Sequence, residues 1–532
     1  MLSLREMMGD PRSFLCGVEL VSTRGTMQDA RAVATRNLAS ELVKVREVDW
    51  VSITDNAGGN PMLGPLALGK PVLYAGKEVL IHLSCKDFNR NGLESQAWLL
   101  ASEGFHNILA LSGDYPAGGY GGAPKPVFDI DSVGLLQLLS DMNRRRKTSF
   151  FLGAVATNFK LRENEVVPQL LKLEKKIDVG AEFVVGQIGY DARKSHEMKA
   201  WLDLKGRPTP PAPVALVGNV FLLSAKVARF FHGGKIPGVV VSDALLAECE
   251  RRARDRNYFL DLAAKQVAIF RGLGYRGVYL GGIDSVEDLL AVLERARAFG
   301  PGDWKTFARE IRYSRPGEFF CFAESPDGLA DPTRLNPELA ARAKTSNVTL
   351  SYRLSKWIHD KAFTPGTALF EMGARLYRKA ADPAQGPPVL RDLEHVTKAA
   401  LFRCKDCGDC SLPDIAYLCP ESQCAKNQRN GPCGGTRDGK CEVAEFECIW
   451  ARAYDRLKFE GRAAELLAHA PAVQDQGLRG TSSWGNAFLG KDHHAPPSPA
   501  KGSATAGKGA CPPKLVPEPS EGGPKPDPVT HV

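Results

Sequence analysis

Short apolar runs alternate with longer segments of helical periodicity through residues 12–300 of the chain. Apolar runs of about four to eight residues bounded by polar positions are typical of buried strands, whereas apolar residues three and four positions apart are typical of helices. The pattern predicts eight strands, at residues 15–21, 50–54, 79–84, 107–111, 149–156, 182–187, 214–220 and 277–281. It predicts intervening helices at residues 27–44, 91–104, 132–143, 167–179 and 258–273.

Repeated strand–helix units predict an α/β fold with a parallel sheet. Eight units in about 290 residues match the number and size of a (β/α)8 TIM barrel, which we assign to residues 1–300. A doubly wound open sheet is the alternative. No GxGxxG sequence opens any of the predicted helices, which counts against a dinucleotide-binding Rossmann sheet.

Polar side chains stand at the carboxyl ends of nearly all the predicted strands. Barrels and open α/β sheets build their ligand sites at this end, so these residues predict a shared pocket and an enzyme. A single Asp or Asn there could instead cap the next helix, and His82 could be a buried core histidine. The residues are Glu19, Thr54, Asp55, Asn56, His82, Ser84, Asp114, Thr157, Asn158, Gln187, Asp191, Asn219 and Asp284.

The rest of the chain divides into three regions of different composition. Residues 301–403 have the pattern of a mainly helical connecting region, and a cysteine-rich metal-binding module follows at residues 404–460. Residues 470–532 are rich in Pro, Gly, Ala, Ser and Lys, which predicts a disordered tail. Three side chains in this tail, for which we expect no metal role, are His493, His494 and Cys511.

Composition narrows the class of protein. The net charge of +8 on 532 residues is mild, and without a Lys/Arg run it gives no reason to expect a nucleic-acid partner. The first residues carry charges of both signs, which is not typical of a signal peptide, and no apolar stretch reaches membrane-spanning length. Eight of the 13 cysteines cluster in the module, which favours metal ligation over disulfides. We expect a cytoplasmic protein without membrane contact.

The cysteine cluster has the spacing of a metal site. Thiolates two residues apart in a tight turn can converge on one metal, and eight thiolates would serve two zinc ions or two four-iron clusters. The CxxCxxC triplet with a later Cys-Pro favours iron–sulfur, but the gap before that cysteine is longer than in ferredoxins, so zinc stays open. The ligands predicted are Cys404, Cys407, Cys410, Cys419, Cys424, Cys433, Cys441 and Cys448.

Six stretches in the first 300 residues, in order and with matching spacing, resemble the methylenetetrahydrofolate reductase family of flavin-bearing (β/α)8 barrels. They are GVEL, DWVSIT, IHLSCKDFNRNGL, NILALSGDYP, KLEKKIDVGAEFVVGQIGYD and VALVGNVFLLSAKVARFF followed by IPGVVVSDALL. The cysteine block, with its NGPCGGTRDGKCEV core, resembles the cysteine-rich C-terminal module that accompanies some of these reductases.

The resemblance implies roles for individual residues. Glu19 matches the general acid that protonates the folate, and such an acid needs the raised pKa that burial gives. Asp114 matches a catalytic residue that contacts both the pterin and the flavin, and Gln187 matches the amide that orients the pterin. The positions that match the flavin-lining residues are Thr54, His82, Gly113, Asp114, Lys175 and Lys176.

The activity implied is flavin-dependent interconversion of 5,10-methylene- and 5-methyltetrahydrofolate, in methionine synthesis or in methyl-group oxidation. Asp55 and Ser112 stand where better-known members carry an aromatic residue and an arginine, which leaves FAD or FMN open. Ala225 and Gly281-Gly282 also depart from the family pattern, and this leaves the nicotinamide and folate-tail contacts open. The electron donor is NAD(P)H or a redox partner protein, and a homo-oligomer is expected. The alternative is a non-catalytic or electron-relay subunit of a one-carbon redox complex.

Overall fold

The structure, a computed structural model, describes residues 2–116, 118–205, 214–469 and 471–495. The described residues up to His494 form one compact unit. Cys511 and most of the predicted tail lie outside the described residues.

Eight parallel strands close into a barrel in chain order, and β1 pairs with β8 through Leu15 and Gly277. The predicted (β/α)8 fold is therefore confirmed, and every predicted strand is present within two residues of its expected bounds. The strands are β1 Leu15–Leu20, β2 Trp50–Ile53, β3 Glu78–Ser84, β4 Asn107–Leu111, β5 Phe151–Ala156, β6 Phe183–Gly186, β7 Ala215–Phe221 and β8 Gly277–Gly281.

Helices surround the barrel and continue beyond it. In the barrel region they are α1 Leu4–Gly9, α2 Ala30–Leu42, α3 Pro65–Tyr74, α4 Arg90–Ser102, α5 Ser132–Arg144, α6 Glu163–Asp178, α7 Ala192–Leu204, α8 Ala225–His232, α9 Asp243–Arg251, α10 Arg256–Gly272, α11 Val286–Ala298 and α12 Asp303–Glu310. Beyond it are α13 Leu350–Ala362, α14 Ala368–Lys379, α15 Pro388–Phe402, α16 Pro420–Gln423, α17 Ile449–Phe459, α18 Glu465–Ala468 and α19 Ser483–Phe488.

Strand residues alternate between two apolar cores, because successive side chains of a strand point to opposite faces. The larger core lies between the strands and the outer helices, and the smaller one fills the barrel with residues such as Leu80, Leu109 and Phe183. Leu4 and Met8 of α1 belong to the inner core. The inward-facing positions nearer the carboxyl ends of the strands include polar residues, which form the mouth of the barrel.

Two segments differ from the sequence expectation. The connecting region contains an antiparallel hairpin, β9 Phe322–Glu324 and β10 Ala330–Leu335, beside its helices. Residues 471–495, expected to be disordered, include α19, and the buried Asn486 Nδ2 donates to Gly408 O over 2.9 Å. The composition of this segment resembles a tail, but its side chains find partners on the cysteine-rich module.

None of the helices within the described ranges combines the length and apolar character needed to cross a membrane.

Candidate functional site

Glu19 lies at the mouth of the barrel within a group of polar side chains. Glu19 occupies an inward-facing position of β1. The hydroxyl of Tyr279 on β8 donates a hydrogen bond to its carboxyl. His82 of β3 joins the group, with its Nε2 3.1 Å from Ser52 Oγ and 3.4 Å from the Tyr279 hydroxyl. Strands one, two, three and eight thus bring one carboxyl, one imidazole and two hydroxyls together.

Burial sets the protonation of this group. It raises the pKa of Glu19 to about 7, since a charged carboxylate loses its hydration there, and the bond from Tyr279 offsets this only in part. It lowers the pKa of His82 to about 4, so the imidazole is neutral near pH 7. Glu19 is consequently half protonated near pH 7, the state that suits a general acid.

The rim next to Glu19 is kept open by a glycine. A Cβ atom at Gly281 would lie 2.8 Å from Glu19 Oε2 and 2.8 Å from Phe221 Cδ2. The glycine that departs from the family pattern therefore gives room to both side chains. Phe221 supplies an aromatic surface beside the carboxyl, although no feature of the sequence pattern singled it out.

Asp114 and Gly113 form the rim after β4. Asp114 Oδ2 accepts a hydrogen bond of 2.8 Å from Gly58 N, which fixes the carboxylate against the loop after β2. Gly113 has φ of +87°, a conformation that glycine adopts without strain. Thr54, on the same side of the barrel, accepts a hydrogen bond from Ser22 N through its Oγ1 over 3.1 Å.

Polar groups after β5 and β6 and on β7 complete the mouth. Gln187 Oε1 accepts from its neighbour Ile188 N over 2.9 Å, which orients the amide. Three buried oxygens at the carboxyl ends of β5 and β7 have no protein partner among the described residues: Thr157 Oγ1, Asn158 Oδ1 and Asn219 Oδ1. Buried polar groups are normally paired, so the oxygens of Thr157 and Asn219, which occupy inward-facing positions, suit a polar ligand at the mouth. Asn158 faces outward instead, and its Nδ2 donates to Lys194 O over 2.6 Å.

The two predicted flavin lysines lie on the buried side of α6 and contact protein groups. Lys176 Nζ donates to Val155 O over 2.6 Å, and Lys175 Nζ lies 2.9 Å from Nε2 of His469. Burial lowers the pKa of both lysines to about 7. The structure does not bring these amines into the group around Glu19, and their role toward a flavin stays a prediction.

Residues 426–436 of the cysteine-rich module, here called the mouth segment, lie across one side of the barrel mouth. Lys426 Nζ donates to Gly113 O over 2.8 Å, and Ser112 Oγ donates to Gln428 Oε1 over 3.1 Å. Asn430 N donates to Asp131 Oδ2 over 2.9 Å at the start of α5. The serine that replaces the family arginine thus faces Gln428, and Lys426 supplies a cation beside Gly113 and Asp114.

Lysines of the barrel hold the same segment from the other side. Lys172 Nζ donates to Gln428 Oε1 over 2.9 Å and to Gly431 O over 3.0 Å. Lys160 Nζ donates to Gly434 O over 2.6 Å. Both lysines are almost fully buried, so the module and the barrel share a desolvated polar contact.

The eight module cysteines separate into two groups of four. The first group lines one cavity together with Lys398 and Arg429, and the second lines another cavity together with Lys426 and Glu442. The first site consists of Cys404, Cys407, Cys410 and Cys419. The second site consists of Cys424, Cys433, Cys441 and Cys448.

Backbone N–H groups point at several of these sulfurs. Cys404 Sγ accepts from Asp406 N over 3.4 Å, and Cys424 Sγ accepts from Gln428 N over 3.5 Å. Such bonds favour the thiolate, whereas burial, together with the neighbouring Cys410, raises the pKa of the Cys407 thiol to about 12. A bound cation would complete the stabilisation of the thiolates, so the donor set fits a metal.

The sequence pattern did not identify residues whose role depends on the direction of a strand side chain or on contacts with the cysteine-rich module. Tyr279 could have been found, because it occupies an inward-facing position two residues before the end of β8. Lys426 and Gln428 carried no such signal, since nothing local shows that they face the barrel.

Comparisons with known proteins agree with this architecture. A family model described as methylenetetrahydrofolate reductase matches residues 30–295, and one described as methylene-tetrahydrofolate reductase C terminal matches residues 388–476. The 5,10-methylenetetrahydrofolate reductase of Salmonella typhimurium is 30% identical over 116 residues, which cover 22% of this chain and 36% of that protein. The chain thus spans about a third of the length of this curated relative.

Two solved structures are more distant. An uncharacterized protein from Clostridium thermocellum that binds two copies of 5-methyl-5,6,7,8-tetrahydrofolic acid is 12% identical, with a TM-score of 0.42 over 55% of this chain and 97% of that one. Dihydropteroate synthase from Thermus thermophilus in complex with 4-aminobenzoate is 12% identical, with a TM-score of 0.31 over 55% and 96%. Scores this low carry no argument about function. The family model over residues 30–295, however, covers half of the 532-residue chain, and the protein belongs to the methylenetetrahydrofolate reductase family.

Proposed function

We propose that the protein interconverts 5,10-methylene- and 5-methyltetrahydrofolate at the mouth of the barrel. The observation that carries this proposal is the partly buried carboxyl of Glu19, with a pKa of about 7, in a polar group at the strand ends. Family membership supplies the substrate class, and the position of the carboxyl supplies the acid that opening the methylene bridge requires.

Each residue of the mouth has a distinct task in this reaction. Protonated Glu19 gives its proton to the folate nitrogen that leaves when the bridge opens to a reducible iminium. Tyr279 holds the carboxyl through its hydroxyl and stabilises the carboxylate left behind. Gln187 pairs its amide with the amide-like edge of the pterin, and Asp114 binds the pterin from the rim after β4. Proton donation weakens as pH rises above about 7, because less of Glu19 is then protonated.

A flavin, FAD or FMN, would supply the hydride chemistry when bound. The buried oxygens Thr157 Oγ1 and Asn219 Oδ1 lack protein partners among the residues described, and this favours a polar group at the mouth. Thr54, His82, Gly113 and Asp114 would hold the ring on the side of β2 to β4. Lys175 and Lys176 would reach its phosphates only by giving up His469 and Val155 O, so the contacts of these two lysines support a flavin role least.

The second cysteine site would pass electrons to or from the barrel. Cys433 lies within the mouth segment with its Sγ 3.3 Å from Glu442 Oε1, and Glu442 pairs with Lys426 at 2.5 Å. Lys426 in turn bonds Gly113 O, so a continuous set of contacts links this site to the rim of the mouth.

The spacing of the cysteines supports iron–sulfur clusters over zinc. Four thiolates on one zinc lie about 3.8 Å apart, as the zinc–sulfur bond length and tetrahedral geometry require. Within the described part of the chain, no three of the cysteine sulfurs lie within 4.8 Å of one another. Sulfurs around a multi-iron cluster stand farther apart, because they bind different metal atoms.

Anaerobic mixing of the purified protein with 5-methyltetrahydrofolate tests the proposal. Bound flavin should bleach as the methyl group is oxidised to the methylene level. Protein that purifies without flavin and cannot be reconstituted with FAD or FMN would contradict it.

A Glu19→Gln variant tests the role of the acid. It should lose folate turnover by a factor on the order of 100 or more, since general acid catalysis contributes this much. Flavin reduction by the electron donor should persist, because that half-reaction does not use the carboxyl. The matched control is Glu287→Gln, which changes an exposed glutamate in the first turn of α11. Equal loss of both half-reactions would refute the assignment.

The alternative function is a non-catalytic or electron-relay subunit of a one-carbon redox complex. The contacts between the cysteine-rich module and the barrel mouth support it. Whether the isolated chain turns over at all without partner proteins distinguishes the two functions. A redox partner protein, a homo-oligomer and a cytoplasmic location stay predictions, as does the direction of the reaction.

A further inference from the structure

Asp414, His493 and His494 form a cluster of potential ligands on the cysteine-rich module, and none of the eight cysteines belongs to it. One ligand atom from each residue lies within 4.8 Å of the other two. His493 Nε2 is 3.0 Å from Asp414 Oδ2, and His494 Nε2 is 2.8 Å from Asp414 Oδ1. We propose that these three residues bind a divalent transition metal ion, although the tail-like composition around the histidines predicted no metal role for them.

The orientation of both imidazoles matches that of metal ligands. Each ring directs Nε2 to the centre of the cluster and Nδ1 to a second carboxylate. His493 Nδ1 lies 2.5 Å from Asp409 Oδ1, and His494 Nδ1 lies 3.5 Å from Asp492 Oδ2. A carboxylate on the far nitrogen fixes the tautomer and orientation of a metal-bound histidine, and it makes the ring a better donor.

An arrangement of ion pairs without metal is the competing explanation. It would require two positive rings in contact, because the centroids of His493 and His494 are only 3.9 Å apart. One divalent ion would instead bind two neutral rings and the carboxylate of Asp414, and would give all three a shared partner. Two imidazoles and one carboxylate are a donor set that zinc and ferrous iron accept, with positions left for water or a small anion.

The site lies where a metal would fasten one segment to another. Asp414 belongs to the loop between the first three cysteines and Cys419, whereas the histidines close the segment 471–495. Asp409, between Cys407 and Cys410, is fully buried and also accepts from Asp475 N over 2.9 Å. The metal would hold the end of this segment against the loop that carries the first cysteine site. Since the His494 side chain is 43% exposed, solvent has access to the ion.

Zinc binding to the full-length protein, purified anaerobically so that its cysteine sites stay as they are, tests the proposal. After equilibrium dialysis against Zn²⁺ with a weak competing chelator, metal counting should give one zinc fewer per chain for Asp414→Asn and for His494→Ala. The matched control is His395→Ala, an exposed histidine on α15, which should bind as much zinc as the unchanged protein.

X-ray absorption at the zinc edge adds a readout that is independent of the count. The zinc present in the unchanged protein and absent from His494→Ala should have nitrogen and oxygen neighbours and no sulfur. Equal zinc in both proteins, or sulfur around the zinc that is lost, would overturn the proposal. His494→Ala decides the question if Asp414→Asn does not fold, because the half-exposed ring can be removed with little packing loss.

Discussion

At the scale of the single residue, Glu19 shows how the environment inside a barrel raises the pKa of a carboxyl. Its neighbours are hydroxyls and a neutral imidazole, so no positive side chain lowers its pKa, and burial dominates. The absence of a Cβ at Gly281 leaves room for the Glu19 carboxyl beside the Phe221 ring. This environment suits proton donation, but it also means that the charged form of Glu19 destabilises the folded protein.

This cost makes stability depend on pH. The pKa of Glu19 rises from its ordinary 4.5 to about 7 on folding, so between these values the folded state binds more protons than the unfolded state. The free energy of unfolding should therefore fall as pH rises from 4.5 to 7 and should then level off. The total fall should be on the order of 1 kcal/mol, because solvent screens part of the effect.

Glu19→Gln should remove this contribution. Denaturant unfolding at pH 5 and pH 8 should show a smaller loss of stability with rising pH for the variant than for the unchanged protein. Glu287→Gln, the exposed control, should follow the unchanged protein. If the free energy of unfolding had the same pH dependence in all three proteins, burial would not raise the pKa of Glu19.

At the scale of the element, the mouth segment is a loop ordered by its contacts with the barrel. Asn430 fixes its middle: the side-chain Nδ2 donates to Asp131 Oδ1, and Oδ1 accepts from Ala472 N over 2.6 Å. One amide thus joins the barrel, the mouth segment and the segment 471–495. A loop of this kind keeps its shape only while such buried groups are paired.

Asn430→Ala should loosen this junction. The substitution leaves Ala472 N and one oxygen of Asp131 with fewer hydrogen-bond partners. This loss should lower the free energy of unfolding by about 1–3 kcal/mol. Hydrogen exchange measured by mass spectrometry should speed up in residues 426–436 and 471–475. The control Asn37→Ala alters an exposed position on α2 and should leave exchange unchanged. Unchanged exchange in Asn430→Ala would mean that other contacts hold the segment.

At the scale of the whole molecule, the cysteine-rich module is part of the face that carries the barrel mouth. It contributes Lys426 and Gln428 to the rim and places one of its two cysteine sites beside Gly113. The other site lies next to the segment 471–495 through Asp409. The second cysteine site is therefore the one in contact with the rim of the barrel.

The grouping of the cysteines gives a sharp test of this organisation. Cys419 and Cys424 are close in sequence but belong to different sites, whereas Cys404 and Cys419 belong to the same site. The double variant Cys404→Ser/Cys419→Ser should lose half of the iron, and Cys419→Ser/Cys424→Ser should lose nearly all of it. Iron analysis of anaerobically purified protein measures both. Equal iron in the two double variants would contradict the grouping.

Local pattern was sufficient to predict the barrel and the position of Glu19 near the end of β1. This was possible because strand and helix periodicity follow from local burial. Some boundaries shifted by up to four residues, because caps and the first turn depend on local hydrogen bonds rather than on periodicity. The metal-binding character of the cysteine block stays a prediction.

Which distant residues meet could be learned only from the folded molecule. The fold divides eight cysteines into two sites, brings Lys426 to Gly113 across 313 positions, and joins Asp414 to two histidines in a segment that composition assigned to a disordered tail. Such contacts depend on how the module packs on the barrel, and no local pattern encodes that packing. The physical reason is that periodicity reports which face of an element is buried, whereas a site depends on which partner buries it.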